Sequence, residues 1–428
     1  MNLIQYVLTL ILFGLVINSF AAEDFSFDIS TYQKKNYRLG GYLEYTLNYQ
    51  LLNQEAAASR LFFLDQPAQD ALTAQTGIME LNGDYKQGNW QARFNFHAEA
   101  YDDDLVSEQQ SSLYEFLASY QAGSGTNFEI GKKAIKWGKG YAWNPVGFVE
   151  RPKNPDEPDL AREGYVVASA DLIKSFSGNL KTIAFTPVYL PVTDNLNNDY
   201  GLVDHNNLAA KLYLLYKDTD IDIVFLSEGS RSWRYGFDFS RNLTTNFEIH
   251  GEWAYFDAIT RQVVTASGST SSQVNSTTRW LFGLRYLTEN ETTIIAEYYR
   301  NNNGYTAAEM SDFFTAVDTA YAASNTSLLG TLASVGEKSY LSRNPGLEYL
   351  YIRLSNKEPF DWVYFVPAIT LIYNLQDDSY SISPEMIYTG INNLELRFKA
   401  ALLHGDENTE FAEKRNEQRY ELRVRYFF

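Results

Sequence analysis

The residues best placed to do chemistry are cations gathered where the rest of the chain is acidic. Lys132, Lys133, Lys136, Lys139, Arg151 and Lys153 share one short segment with a single acid, Glu150, although the whole chain has 35 Lys and Arg against 53 Asp and Glu, a net charge of -18. Ammonium and guanidinium groups held this densely bind anions, the first as point charges and the second as planar forks. A second group lies near the C-terminus, where Arg397, Lys399, Arg419, Arg423 and Arg425 alternate along two segments that carry Glu395 and Glu421. Five cations against two acids read as a local positive wall.

Other chemistry is sparse. The four histidines are His97, His205, His250 and His404. His250 sits between Glu248 and Glu252 on one face of an alternating segment, which suits a proton-sharing group, a weak metal site or an ordinary wall residue. No Gly-x-Ser-x-Gly, His-Glu-x-x-His or phosphate-loop motif occurs, so no enzyme, cofactor or metal is expected. The absence of cysteine excludes disulfides and thiolate metal sites. The strong negative charge opposes a nucleic-acid partner.

The elements that must position these cations read as β-strands. Aromatic residues make up 15% of the chain, with 32 Tyr and 27 Phe, and apolar residues alternate with polar ones in segments of about ten. Leu43, Tyr45, Leu47, Tyr49 and Leu51 share one face against Glu44, Thr46, Asn48 and Gln50. Trp90 to Ala98, Trp233 to Phe239 and Leu394 to Leu402 repeat the pattern, and Tyr420, Leu422, Val424, Tyr426 and Phe428 oppose Arg419, Glu421, Arg423 and Arg425. Lys132 and Lys136 share a parity with Phe128 and Ile130, so the alternation falters there, as at a bulge, an early strand end or a loop turning inward.

Connections switch between short and long. Short ones fall near 87–89, 122–126, 177–178, 218–220, 242–246, 288–291, 356–360 and 390–393, and long ones near 53–71, 102–111, 138–164, 191–206, 259–276, 302–343 and 405–415, with tight exceptions near 229–231 and 376–379. Short turns on one side and long loops on the other are the mark of a transmembrane barrel. The expected fold is therefore all-β, a transmembrane antiparallel up-and-down β-barrel of about 18 strands, with 16 also compatible, over residues 37–428. Tyr42, Trp90, Tyr101, Tyr120, Trp253, Tyr255, Trp280 and Trp362 fall at strand ends, where aromatic girdles belong. An apolar run over residues 3–17 followed by Ser19-Phe20-Ala21 predicts a signal peptide over 1–21, leaving 22–36 as a short periplasmic segment. That segment is too small for the plug of an energised transporter.

If the apolar face meets lipid, the other lines the lumen, because Lys or Arg at the bilayer midplane costs about 2–4 kcal/mol. Lys133, Arg397, Lys399, Arg419, Arg423 and Arg425 then point inward, as does Arg285. Loop 138–164, with prolines at 145, 152, 155 and 158, is read as folding into the lumen and narrowing it with Lys136, Lys139, Arg151 and Lys153. Two alternatives stand beside this. The lysines could sit at the outer rim against lipopolysaccharide phosphates or Asp156, Glu157 and Asp159, or form lumenal ion-pair ladders.

The terminal alternation ending on Phe428 resembles the signature that the barrel-assembly machinery recognises in Gram-negative outer-membrane proteins. The stretch Gly131-Lys132-Lys133-Ala134-Ile135-Lys136-Trp137-Gly138-Lys139-Gly140, leading to Trp143-Asn144-Pro145, resembles a Gly-Arg-Gln to Trp-Gly segment of large monomeric porins related to alginate exporters, with Lys132 and Lys133 where those proteins carry Arg-Gln. The resemblance implies a porin-like channel in the cell outer membrane. The function expected is passive passage of small solutes with a bias toward anions. The alternative is export, assembly or attachment of surface polysaccharide, for which loop 302–343 and its amphipathic stretch Ala307–Ala323 are suited. The expected partners are outer-membrane lipid and lipopolysaccharide, the assembly machinery, and a small solute or acidic saccharide.

Overall fold

The computed structural model describes residues 35–428, so the expected signal peptide and all but the last two residues of segment 22–36 lie outside the described residues. Strands follow one another along the chain: β1 Tyr37–Leu52, β2 Ala71–Gln87, β3 Trp90–Asp103, β4 Ser107–Gly123, β5 Thr126–Lys133 and β6 Tyr165–Ser175. The middle of the sheet is β7 Leu180–Leu190, β8 Asn207–Tyr216, β9 Thr219–Leu226, β10 Arg234–Thr244, β11 Phe247–Val264 and β12 Thr270–Leu287. The last third is β13 Thr292–Asn301, β14 Glu348–Asn356, β15 Phe365–Asn374, β16 Tyr380–Ile391, β17 Leu394–His404 and β18 Asn416–Phe427. Each pairs antiparallel with the next, and β18 returns to β1 in the register Tyr42↔Phe427 to Leu52↔Asn416, closing an 18-stranded barrel.

The seam is fixed at its end by a reciprocal pair of hydrogen bonds. Gly41 N–H donates to the Phe428 carbonyl and Phe428 N–H to the Gly41 carbonyl, both at 3.1 Å. A Cβ on Gly41 would stand 2.0 Å from the Glu80 carbonyl oxygen, so this approach of backbones needs glycine.

Solvation is inverted relative to a water-soluble domain. Phe282 (54% exposed) and Leu422 (49%) lie on the outer face, whereas Asp238 (0%), Glu252 (3%) and Arg397 (4%) are buried inside. In water this arrangement would leave a wide apolar surface uncovered; hydrocarbon around the barrel removes that penalty, and closure leaves no unpaired strand edge. Trp90 packs on Tyr120 at 4.7 Å and Trp253 on Phe237 at 5.8 Å, in the outer aromatic rows. Tyr42 instead turns inward, its hydroxyl donating to Glu80 Oε2 at 3.0 Å.

Two expected loops are shorter than the composition suggests. Segment 259–276 is mostly strand, since Ile259 to Val264 of β11 pair with Asn275 to Thr270 of β12, and the polar Ser- and Thr-rich stretch is a hairpin rising above the barrel. Residues 102–111 likewise hold a tight turn, because β3 runs to Asp103 and β4 starts at Ser107. Loop 302–343 carries two helices, α2 Ala307–Ala322 and α3 Thr326–Lys338, which join α1 Ala57–Phe62 in one apolar cluster with Val264. Helix α2 begins with a capping box in which Thr306 and Glu309 satisfy each other's backbone N–H groups. The helices sit on the long-loop side, over the barrel mouth.

The inverted solvation predicts asymmetric substitution costs. Phe282→Arg should lower refolding stability in lipid vesicles, read by denaturant titration, by about 2–4 kcal/mol. Arg285→Gln, three residues on and facing inward, should change it by no more than about 0.5 kcal/mol. Equal costs at the two positions would count against a lipid-facing outer wall.

Candidate functional site

The candidate site begins where β5 ends early. Gly131 has φ +129°, and a Cβ there would lie 2.1 Å from the Phe116 carbonyl oxygen, so the kink that turns the chain inward needs glycine. Two residues later the strand stops, and Ala134 N–H donates to Glu115 Oε1 at 3.1 Å instead of to a neighbouring strand. Segment 134–164 then crosses the lumen before β6 begins.

Inside the barrel each loop N–H needs an acceptor, and wall carboxylates supply them. Glu252 of β11 accepts from Lys139 (2.7 Å), Gly140 (2.6 Å) and Val146 (3.1 Å). Glu297 of β13 accepts from Ala142 at 2.9 Å and from Tyr141. Within the loop, Glu150 accepts from Trp137 N–H at 3.0 Å. Gly138 has φ +92°, and a Cβ on it would stand 2.7 Å from Glu252 Oε1, which explains the glycine beside this clamp.

Apolar anchors hold the loop to two adjoining stretches of the wall. Trp137, Val146, Phe148 and Val149 pack with Val188, Ala209, Val224 and Ala254, from β7, β8, β9 and β11. Ala142 and Trp143 pack with Leu281, Tyr299, Tyr349 and Tyr351 of β12 to β14, with Trp143 stacked on Tyr299 at 4.9 Å. Each large side chain buried this way contributes about 1.5–3 kcal/mol. A third tether reaches β17: Glu157 accepts a forked pair from Arg397 (2.9 and 2.5 Å) and a bond from Lys399 (2.8 Å). Burial pushes the Glu157 carboxyl up, but the Lys399 charge and the Arg397 fork outweigh it and bring it down to about 2.

Most of the sequence-predicted cations meet acids or carbonyls here. Lys133 pairs with Glu129 on its own strand. Lys139 Nζ lies 3.0 Å from Asp222 and 3.9 Å from Asp238, which face each other across β9 and β10. Arg151 pairs with Glu163 at 3.2 Å and with Asp199. Lys153 donates to the carbonyls of Gly140 and Tyr141; burial pulls its ammonium pKa down.

The positive wall of the last two strands is corrected. Closure brings Glu44 of β1 to 2.6 Å from Arg425 and 3.8 Å from Arg423, and Glu395 lies 3.2 Å from Arg423. Arg397 pairs with Glu385 of β16 and Glu157 of the loop. Counting charges on β17 and β18 alone could not see Glu44, Glu385 or Glu157. Arg419 stands apart, lining a vestibule pocket with Asp156, Arg343 and Lys414.

Beneath the loop a cavity of about 640 Å³ remains open between segment 136–162 and the wall of β11 to β15. Lys136, Lys139, Lys153, Arg285, Arg353 and His250 line it, together with Glu150, Asp159 and Glu248. Arg353 is held by Glu385 at 2.8 Å. His250 Nε2–H donates to Glu297 Oε1 at 2.9 Å, and the ring lies 3.5 Å from Glu248, while Glu252 turns to the loop. No group of side chains suited to a metal ion occurs among the described residues. Lys136 and Arg285 are both exposed to the cavity, and among the described residues no carboxylate lies within 4.0 Å of either. Strand parity placed Arg285 in the lumen, and the β11–β12 register sets it across from Glu248, beyond 4.0 Å.

No protein-family model matches the chain, and no curated protein matches it. Solved structures do resemble it. Pseudomonas aeruginosa OccK5 (OpdH) superposes with a TM-score of 0.50 at 10% identity, covering 91% of this chain and 98% of that one. The chain has the fold of an outer-membrane porin. A triple mutant of the Rhodopseudomonas blastica porin is also similar, with a TM-score of 0.44 and 10% identity over 92% of this chain and 100% of that one. The likeness is one of barrel architecture and does not extend to the alginate-exporter resemblance of segment 131–145.

Two outcomes follow from the clamps. Glu252→Ala orphans three buried N–H groups at about 1–3 kcal/mol each, so the loop should become susceptible to limited proteolysis between residues 139 and 150 while the barrel stays intact. A loop still resistant would show that the apolar anchors suffice. The Glu157 tether has a depressed carboxyl, so its contribution is complete above the ordinary value of 4.5 and is lost as pH falls toward about 2. Conductance recorded against pH should therefore show no loop release down to about pH 4.5. Release at pH 6 would rule this tether out as the controlling contact.

Proposed function

We propose that this chain is an outer-membrane channel through which small hydrophilic solutes diffuse passively, with segment 134–164 as its constriction and a bias toward anions. The observation that carries the reading is a closed barrel, apolar outside and polar inside, crossed by a tethered loop that leaves a cavity of about 640 Å³ beside it. Such a cavity holds on the order of 20 waters at about 30 Å³ each, room for a hydrated small solute.

The bias toward anions rests on the cavity cations that no carboxylate holds within 4.0 Å. A Lys or Arg beside a carboxylate presents a dipole whose field fades within a few ångströms, whereas an unpaired cation in a narrow, low-dielectric passage attracts anions over its whole cross-section. Lys136 on the loop is such a cation, and Arg285 on the β12 wall faces the same cavity with Glu248 across the β11 register, more than 4.0 Å away. Arg343 and Arg419, with Asp156 opposite them, extend the same charge into the vestibule.

Planar-bilayer recording tests both parts. The wild-type chain should conduct, with a reversal potential in a KCl gradient that marks chloride as the favoured ion, and Lys136→Gln with Arg285→Gln should lower the chloride-to-potassium permeability ratio several-fold. Lys139→Gln should act differently, loosening the loop by leaving Asp238 without its cation and Asp222 with Lys211 alone, at 3.7 Å. A barrel that carries no current refutes the channel; unchanged selectivity in the double variant refutes the role of these two cations.

A further inference from the structure

The outer face carries a feature that lumenal transport does not use. At the short-turn end of β6 to β10 four cations form a lateral row: Lys174, Lys181, Lys217 and Arg241, all exposed. The pairings Lys174↔Ile183, Leu180↔Tyr216, Tyr216↔Thr219 and Arg241↔Thr219 place them on successive strand ends. At about 4.8 Å per strand the row spans about 20 Å. Lys174 shares its parity with Leu172 (43% exposed) and Arg241 with Phe237 (47%), so each stands at the foot of an outward apolar column, and Lys181 is exposed at a bulge at the start of β7.

The four cations have no carboxylate within 4.0 Å among the described residues. Their only other ring contacts are local, Lys174 with Phe176 and Lys217 with Tyr216. Asp218, next to Lys217, is the acid on the tip of that turn. Lys217 and Asp218 both have positive φ, +46° and +60°. A hairpin turn of this kind favours Asn-Gly or Gly-Gly, so a lysine kept there at a backbone cost points to a use for its side chain. The turn before β13 carries Glu289 and Glu291 and that before β15 Glu358 and Asp361 beside Lys357, while the turn before β3 is flanked by the single cation Lys86. At the opposite rim the outward Arg300 is paired with Glu348.

We propose that the short-turn ends of β6 to β10 form a docking surface for anionic phospholipid headgroups of the inner leaflet. The inference rests on the outer-membrane reading above. Acyl chains lie along the apolar columns, and the phosphates sit at the level where lysine and arginine stems extend toward the interface and present their charges. Charge complementarity selects the occupant: an unpaired cationic row joined to a lipid-facing band suits a molecule with an apolar body and an anionic head.

The test uses the mature chain refolded into phosphatidylcholine bilayers containing trace spin-labelled phosphatidylglycerol or spin-labelled phosphatidylcholine. Electron spin resonance reads the motionally restricted fraction of each. The wild type should favour phosphatidylglycerol at least about twofold at low salt, and the preference should collapse near 1 M salt, where the Debye length is about 3 Å. Combined Lys174→Gln, Lys181→Gln, Lys217→Gln and Arg241→Gln should abolish it; should that variant not refold, Lys174→Gln with Lys181→Gln should weaken it measurably. Equal association of both lipids with the wild type, or a preference unchanged in a folded variant, overturns the proposal. If the lipids associate equally and the wild type is an oligomer that the variant dissolves, the row is a contact between copies and the lipid assignment falls. No restricted component for either lipid would refute the membrane reading itself, and the docking surface with it.

Discussion

Two wall glutamates, Glu252 and Glu297, accept five backbone N–H groups from residues 139 to 146. A strand satisfies its N–H groups with its neighbours, but a chain crossing a barrel interior has no neighbour on either side. An acidic side chain resolves this compactly, because each carboxylate has about four acceptor positions and projects from the wall to meet the loop. The position of the loop follows from where these two side chains stand. So do the glycines at 138 and 140, since a Cβ at either would press on the clamp or on the Trp143 carbonyl. The aromatic anchors then fill the space on the two flanks that the clamp has set, and the remaining cavity is the part of the lumen the loop cannot reach.

Charge pairing does for the wall what the clamps do for the loop. Arg425 and Glu44 meet across the β1–β18 seam, and Arg397 ties β17 to Glu385 of β16. Buried pairs of this kind add little net stability against an apolar alternative, but breaking one leaves a charge stranded at considerable cost. Across a seam they act as a register check. A slip of one residue would turn Glu44 or Arg425 toward lipid and strand its partner in the lumen.

The strands were legible because hydrocarbon outside and water inside impose a period of two that few other environments impose so uniformly; the segments around Leu43, Trp90 and Tyr420 each sit on the expected face. The failures have physical causes. Above the bilayer both faces of a hairpin are wet, so the Ser- and Thr-rich 265–278 stretch loses its alternation while keeping its backbone ladder. Parity assigns a face but not a partner, which is why the C-terminal cations looked unbalanced until closure supplied Glu44. The same limit applied to His250, whose sequence neighbour Glu252 is engaged by the loop while its bond runs to Glu297, far along the chain. The falter at Lys132 and Lys136 was the most informative local signal, for it marked where the sheet releases the loop, and Gly131 is the residue that permits it.

The chain has 53 acids and 35 Lys and Arg, yet only about half of the described cations have a carboxylate within 4.0 Å. The dense run from Lys132 to Lys153 turned out to be largely occupied by pairs and carbonyls that hold the loop in place. Among the described cations that have no carboxylate within 4.0 Å, some stand where a carboxylate would be costly or counterproductive: beside an open passage, as Lys136, and at the foot of lipid-facing columns, as Lys174 and Arg241. An acid at the first kind of site would repel the solute or close the passage by bridging, and at the second it would repel anionic headgroups. The same side-chain chemistry thus divides by partner rather than by residue type, into cations that build the barrel and cations that face what lies outside the fold.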